Sequence, residues 1–167
     1  YREFGINAEF LIDHAWGWEP CTISAIKAYK PQNHSLSSGQ VLSHPYTNKN
    51  ARIVIQEMAE ELSLTLVRKG LVTNQIVINI GYDKENFTKP NLAYRWLKLH
   101  PEATEIEDMP GGAHGSGNIG LWTSSTRIIR TLAGEIFDRI SDKELSIRRM
   151  NICASSVETR EAAGKKT

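Results

Sequence analysis

Two long stripes of apolar residues, each set between segments in which apolar and polar residues alternate, constrain the fold of this chain most. Spacings of three and four residues predict an amphipathic helix for each stripe. Thr47 is placed to cap the first helix and Gly70 to end it, while residues 123–126 offer several caps to the second. The stripes are formed by Val54, Ile55, Met58, Leu62 and Leu66, and by Ile128, Ile129, Leu132, Ile136 and Ile140.

The alternating segments predict four β-strands, over residues 35–42, 75–82, 114–122 and 145–154. In the second strand Ile76, Ile78, Ile80 and Tyr82 share one face, which indicates that this face is buried. The third strand is rich in glycine, which fits a surface that another backbone or a ligand approaches closely. The element order is therefore βαββαβ. It predicts an α+β, ferredoxin-like fold, with a four-stranded antiparallel sheet, two helices on one face and the other face open.

Composition shifts supply the domain boundaries. A length of 167 residues with 40% hydrophobic and 23% charged residues suits one main domain. Residues 1–26 are acidic and aromatic, too few for a core of their own, and residues 27–34 are basic and contain a proline, which predicts an extended linker. The main domain is then expected over residues 35–156, with an insertion at 83–113 where prolines and glycines interrupt the pattern. Residues 157–167 are expected to be a flexible tail.

Several classes of function are disfavoured by the sequence. The apolar runs are far shorter than the roughly 20 residues of a membrane-spanning helix, and the first residues lack a signal peptide's apolar stretch. Cys21 and Cys153 have no partner at metal-ligand spacing, so neither a zinc site nor a disulfide framework is expected, and a reducing, cytoplasmic compartment is the simplest interpretation. None of the predicted strands contains an acid, so no catalytic residue, bound metal or cofactor is predicted for these 167 residues.

Positive charge is concentrated in the two stretches that form the predicted core. The chain as a whole carries a formal charge of +1, whereas residues 21–82 and 114–167 each carry +3 by count. That distribution is compatible with a polyanionic partner, and equally with an ordinary solvated surface.

The candidate anion-binding residues fall into three groups. A helix N-terminus suits a phosphate, although simple capping explains the same residues. Arg148 and Arg149 are adjacent in a strand, so they point to opposite faces unless a bulge intervenes, and the apolar residues around them hint at such a bulge. The remaining candidates are short polar donors of the open sheet face and basic linker residues. The candidates are Thr123, Ser124, Ser125, Thr126 and Arg127; Arg148 and Arg149; Ser35, Ser37, Gln75, Asn79 and Asn118; and Lys27 and Lys30.

Four passages, in this order and spacing, carry a resemblance to a known family. They are Asp13-His14-Ala15-Trp16-Gly17-Trp18-Glu19-Pro20, the linker into Ser35-Leu36-Ser37-Ser38-Gly39-Gln40, Thr123-Ser124-Ser125-Thr126-Arg127, and Ile147-Arg148-Arg149-Met150-Asn151-Ile152. Together they resemble the C-terminal region of a Y-family translesion DNA polymerase of the ImpB/MucB/SamB type, related to DNA polymerase IV. The resemblance covers nearly the whole chain except residues 83–113.

That resemblance implies a role for each segment of the chain. Residues 1–26 would be the end of the thumb, 27–34 a tether, and the βαββαβ domain the little finger, whose sheet holds the backbone of primer–template duplex DNA during lesion bypass and DNA repair. The catalytic palm, which would use Mg²⁺ in the full-length bacterial SOS-response polymerase, would precede residue 1, so this piece would be inactive alone. A sliding clamp is a possible partner of the full-length protein, although residues 157–167 contain no recognisable clamp-binding peptide.

Two other functions fit the same topology, because many unrelated proteins share it. The first is an RNA-binding βαββαβ module, although the aromatic pattern that stacks single-stranded RNA is missing. The second is a regulatory domain that binds a small molecule, which would show ligand-dependent thermal stabilisation without salt-sensitive binding of nucleic acid.

Overall fold

The computed structural model describes residues 3–5, 7–19, 21–29 and 35–164. The chain divides into two compact units, Tyr1–Asn33 and His34–Thr167, a break within one residue of the predicted start of the main domain. The first unit contains helices α1 (Asn7–Ala15) and α2 (Ile23–Ala28). No helix in the described ranges is long and apolar enough to cross a membrane.

The second unit follows the predicted element order. Thr47 caps the first long helix as expected, since its hydroxyl oxygen accepts from the amide N–H of Asn50 at 3.4 Å. A short 3₁₀ turn, Ile106–Asp108, lies in the insertion. The elements are β1 (Leu36–Tyr46), α3 (Asn48–Arg68), β2 (Leu71–Tyr82), α4 (Glu85–Thr88), α5 (Pro90–Leu99), β3 (Gly112–Thr123), α6 (Thr126–Ile140), β4 (Ile147–Thr159) and α7 (Arg160–Ala163).

The four strands form one antiparallel sheet in the order β1-β4-β2-β3. Each helix connection joins two strands that are separated by a third, which is the split βαβ arrangement predicted from the sequence. The strand order adds a detail that the sequence did not contain. Here β2 and β4 are central, whereas the ferredoxin-like order places the first and third strands at the centre. As an edge strand, β3 tolerates its glycines better than a central strand would.

The hydrophobic core lies between one face of the sheet and the helices α3 and α6. The predicted buried face of β2 is confirmed, because Ile76, Ile78, Ile80 and Tyr82 are each at most 6% exposed. The apolar stripe of α3 and that of α6 both pack on this face, beside buried residues of β4 such as Ile152. Both helices therefore lie on the same side of the sheet, and neither α3 nor α6 covers the opposite side of the four strands.

Glycines in β3 bring α6 close to the sheet. A β-carbon at Gly115 would lie 2.5 Å from Cγ2 of Ile140, and one at Gly117 would lie 2.9 Å from Cδ1 of Leu132. The sequence predicted that another backbone or a ligand approaches this strand. At these two positions the structure corrects that expectation, because the close neighbours are side chains of α6 on the core side.

The insertion between β2 and β3 is tied to the segment that joins α6 to β4. The side-chain amide of Asn86 donates to the carbonyl oxygen of Ser146 at 2.9 Å and accepts from the amide N–H of Ser146 at 3.1 Å. In α5 the indole N–H of Trp96, which is 5% exposed, donates to a carboxylate oxygen of Asp142. The insertion therefore contains a helix around Trp96, and these hydrogen bonds anchor it to the rest of the unit.

Two strands are longer than predicted because bulges hide their alternation. Strand β2 begins at Leu71, and the register shifts between Thr73 and Gln75, so that the neighbours Val72 and Thr73 are both buried. Strand β4 continues to Thr159 after a second shift. The last strand thus continues beyond its predicted end at residue 154, and it brings one acid, Glu158, into the four described strands.

The segment expected to form a flexible tail has regular structure over most of its described part, since residues 157–159 belong to β4 and residues 160–163 form α7. Thr159 caps α7 by accepting from the amide N–H of Ala162 at 3.3 Å, and the N–H of Arg160 donates to the carbonyl of Gly70 at 3.3 Å. These backbone contacts hold residues 160–163 against the start of β2.

Candidate nucleic-acid interface

The sheet face opposite α3 and α6, which we call the open face, is organised as rows of side chains that run across the four strands. Neighbouring strands lie about 4.8 Å apart, so the members of one row are close together. In the order β1-β4-β2-β3, three rows are Val41-Arg149-Gly81-Gly112, Gly39-Asn151-Asn79-His114 and Ser37-Cys153-Val77-Ser116; a fourth joins Gln75 of β2 to Asn118 of β3.

These rows present short polar groups and no carboxylate. No Asp or Glu occurs in 37–41, 75–81, 112–118 or 149–155, the strand segments that form them. Cys153 also adds no negative charge at neutral pH, because burial raises the pKa of its thiol above the ordinary value. The rows therefore carry no negative charge and combine polar side chains and Arg149 with the apolar Val41 and Val77, and the absence of negative charge suits an anionic partner.

A bulge at Arg148 gives the two adjacent arginines different roles. Gly81 of β2 pairs with Arg149 and the next residue, Tyr82, pairs with Ile147, so Arg148 is the extra residue, as the sequence hinted. Nε of Arg148 lies 3.8 Å from a carboxylate oxygen of Asp83, a residue only 7% exposed. The bulge brings both arginines to one side of the sheet, since Arg148 and Arg149 line the same cavity beside Val41 of the open face. Arg148 serves as the counterion of a buried carboxylate.

Arg149 remains as the exposed cation of the open face. Its guanidinium group lies over β2, since a β-carbon at Gly81 would be 3.6 Å from Nε of Arg149. Within the described part of the chain this guanidinium makes no hydrogen bond or ion pair. Asn151, two residues further along β4, leans the other way, with Nδ2 only 3.2 Å from where a β-carbon of Gly39 would lie. Glycines on both neighbouring strands therefore let these side chains lie flat on the sheet.

Of the short donors predicted for this face, four lie on it and differ in how free they are. Ser37 and Asn79 stand in the rows described above. The side chain of Gln75 accepts a hydrogen bond from the hydroxyl of Ser155 at 2.6 Å, and Oδ1 of Asn118 accepts from the amide N–H of Gly120 at 2.8 Å. Ser35 is exposed and lies immediately before β1.

Four of the nine polar residues in the rows of the open face were not predicted from the sequence. Asn151, Cys153, His114 and Ser116 share this face with the predicted donors. Alternation was a usable signal on β3, where His114, Ser116 and Asn118 are polar and exposed. On β4 the bulge at Arg148 breaks the alternation. The sheet face on which Asn151 lies could therefore not be predicted without the strand register.

The second predicted phosphate site, residues 123–127, lies at the other end of the sheet. Thr123 pairs with Thr73, eight residues along β2 from the partner of Arg149, which corresponds to about 26 Å at the usual rise of a strand. Ser125 is the N-cap of α6 but its side chain makes no capping hydrogen bond. Instead the hydroxyl oxygen of Thr123 accepts from the amide N–H of Ser125 at 3.0 Å.

The remaining members of this segment have separate environments. Ser124 is 9% exposed, and its hydroxyl accepts from a guanidinium N–H of Arg160 at 3.3 Å. Thr126 is the first residue of α6 and Arg127 the second, and both are exposed. The segment is therefore an ordinary helix start about 26 Å from Arg149, while Arg127 lines one cavity with Asn118 of the open face.

The two linker lysines are only partly described. Lys27 is exposed and lies within α2, so the extended linker predicted from residue 27 begins later than expected. Lys30 lies outside the described residues. Neither lysine can be assigned to the open face.

Comparison with known proteins gives one decisive match. Residues 33–166 match the family model described as the impB/mucB/samB family C-terminal domain. The chain belongs to this family. The match covers the whole described second unit, including the insertion at 83–113, and it begins at the break between the two units. The resemblance seen in the sequence is thus confirmed for the impB/mucB/samB C-terminal domain, while the assignment of residues 1–26 to a thumb stays a prediction.

A solved structure also resembles the chain, weakly. Its title is "Complex of beta-clamp processivity factor and little finger domain of PolIV". It is 8% identical, with a TM-score of 0.47, over 76% of this chain and 92% of that one. At this level the likeness carries no argument about function. No curated protein matches the chain by sequence.

Proposed function

We propose that residues 35–164 grip the backbone of primer–template duplex DNA through the open face, as the little finger of a translesion DNA polymerase. The observation that carries this proposal is the asymmetry of the sheet. One face is buried under α3 and α6, and the rows of the other contain polar side chains, an exposed arginine and no acid. Membership of the impB/mucB/samB C-terminal family supports it.

The chemistry of the rows favours phosphate contacts over base recognition. Amide, hydroxyl and guanidinium groups donate to phosphate oxygens, and such contacts position a protein on DNA without reading its sequence. Single-stranded RNA, by contrast, is usually held by aromatic side chains that stack on its bases. The segments 37–41, 75–81, 112–118 and 149–155 contain no Phe, Tyr or Trp. The open face therefore fits a duplex backbone better than splayed bases.

A salt titration tests this proposal. We expect the chain to bind two duplexes of unrelated sequence with similar, weak affinity, and log K to fall linearly with log salt, because binding releases counterions from the phosphates. Fluorescence anisotropy at several salt concentrations measures this directly, and single-stranded RNA serves as competitor. A flat salt response, a strong sequence preference, or displacement by RNA in preference to duplex DNA would contradict the proposal.

The rest of the polymerase belongs to the same proposal. A palm domain with paired carboxylates and Mg²⁺ would supply catalysis in the longer protein, since Glu158 is the only acid in the four described strands. A sliding clamp would be a partner of that longer protein.

A further inference from the structure

A histidine of the open face is held in a defined orientation. His114 of β3 is the direct partner of Asn79 of β2 in the antiparallel ladder. Nδ1 of the imidazole lies 2.6 Å from Oδ1 of the Asn79 side chain, so the Nδ1–H group donates and the amide oxygen accepts. The ring is exposed, and within the described residues Nε2 makes no hydrogen bond or ion pair.

This hydrogen bond decides what the outer nitrogen offers to a ligand. With the proton of the neutral ring on Nδ1, Nε2 presents a lone pair, which cannot donate to a phosphate oxygen. Protonation turns Nε2 into a donor and gives the ring a positive charge, and both changes favour a phosphate. A histidine fixed in this way contacts the DNA backbone only as an imidazolium.

The charged and titratable groups around His114 leave its positive charge without a protein partner. The facing strand segment 75–81 carries no charge, and β4 contributes Arg149 and the neutral thiol of Cys153. From α6, Arg139 donates to the carbonyl of Ser116 at 2.7 Å. Before β3, the carboxylate of Asp108 is occupied by the amide N–H groups of Thr104 and Glu105. A bound phosphate would be the missing counterion.

We propose that His114 is a phosphate-contacting residue that acts only when protonated, so that DNA binding is coupled to the uptake of a proton. The inference rests on the proposed function, because it concerns the same open face. Its sign is fixed: the bound state holds the extra proton, so affinity for DNA rises as pH falls.

The test compares three proteins at constant ionic strength. Binding of one duplex DNA is measured by fluorescence anisotropy from pH 5.5 to 8.5 for the parent, His114→Gln and His14→Gln. Glutamine keeps a neutral donor towards Asn79 without titrating in this range. His14 is a matched control, since it is an exposed histidine of the first unit whose partner is Glu19, at 2.8 Å.

We expect parent affinity to fall on the order of tenfold more than that of His114→Gln across this range, the scale of one charge-assisted hydrogen bond. His14→Gln should follow the parent. Calorimetry in two buffers of different ionisation enthalpy should show proton uptake on binding for the parent and less for His114→Gln. Equal pH dependence and equal proton uptake in parent and His114→Gln would overturn the inference while leaving the proposed function intact. Failure of the parent to bind DNA at any pH would overturn the proposed function, and the inference with it.

Discussion

Separate replacement of Arg149 and Arg148 by alanine distinguishes a DNA contact from a structural ion pair. Arg149 is exposed and makes no hydrogen bond within the described residues, so Arg149→Ala should change the free energy of unfolding by less than about 0.5 kcal/mol. The same change removes one charge-assisted hydrogen bond to a phosphate. We expect DNA affinity to fall by about 1 to 1.5 kcal/mol, or roughly five- to twelvefold.

Arg148→Ala should give the opposite pattern. The change leaves the carboxylate of Asp83, a residue only 7% exposed, without its counterion. The carboxylate still accepts from the amide N–H of Glu85 at 2.8 Å. Breaking a fully buried pair costs about 3–5 kcal/mol, but the Arg148 side chain is 36% exposed and the two groups are 3.8 Å apart. Water can therefore replace much of the interaction. We expect a loss of about 1–2 kcal/mol in stability and little direct loss of DNA affinity.

Two measurements on the same samples test this pair of expectations. Denaturant unfolding reports stability, and anisotropy with duplex DNA at low salt reports affinity. Asp83→Asn provides the control, because in that background the change Arg148→Ala should cost less stability than in the parent. The bulge assignment is refuted if Arg148→Ala abolishes DNA binding at full stability while Arg149→Ala binds like the parent.

Two further predictions concern the scaffold. Gly115→Ala would place a β-carbon 2.5 Å from Ile140 and should destabilise the domain by about 1–2 kcal/mol in denaturant unfolding. Gly111→Ala is the control and should be neutral, because no atom lies within 4 Å of its β-carbon. Equal effects of the two changes would contradict the close approach of α6. Burial raises the pKa of Tyr82, so the folded chain keeps this proton while the unfolded chain loses it, and stability should fall as pH rises above about 10. Denaturant unfolding at pH 7 and 10.5 should show a smaller alkaline loss of stability in Tyr82→Phe than in the parent. At pH 7 the same change should cost about 1 kcal/mol, because no hydroxyl oxygen remains to accept from the amide N–H of Asp142. An equal alkaline loss in the two proteins would argue against this role of Tyr82.

The elements of this fold could be predicted from the sequence because their signals are local. Helix α3 follows from the spacing of five apolar residues and from a cap at Thr47, and the buried face of β2 follows from alternation between Ile76 and Tyr82. The split βαβ order then follows from the sequence of elements. The pairing order of the strands does not, because it depends on contacts between residues far apart in the chain.

The candidate site was predictable only in part, for the same reason. Ser37 and Asn79 were assigned to the open face from alternation within their own strands. The difference between Arg148 and Arg149 depends on the ion-pair partner of Arg148, Asp83, which lies 65 residues earlier in the chain. Of the several caps that the sequence offered to α6, Ser125 is the N-cap by position but its side chain makes no capping hydrogen bond, while the hydroxyl oxygen of Thr123 accepts from the amide N–H of Ser125.

Strand β3 shows how one segment serves the core and the candidate interface together. Gly115 and Gly117 face α6, where any side chain would meet Ile140 or Leu132, so the helix can pack closely only if these positions stay without one. The residues between and beside them, such as His114 and Ser116, necessarily point to the other side because side chains alternate along a strand. Close packing of α6 therefore fixes the register that presents His114 to Asn79. A substitution that pushes α6 away from β3 should weaken DNA binding through the displaced strand, even though it touches no residue of the open face.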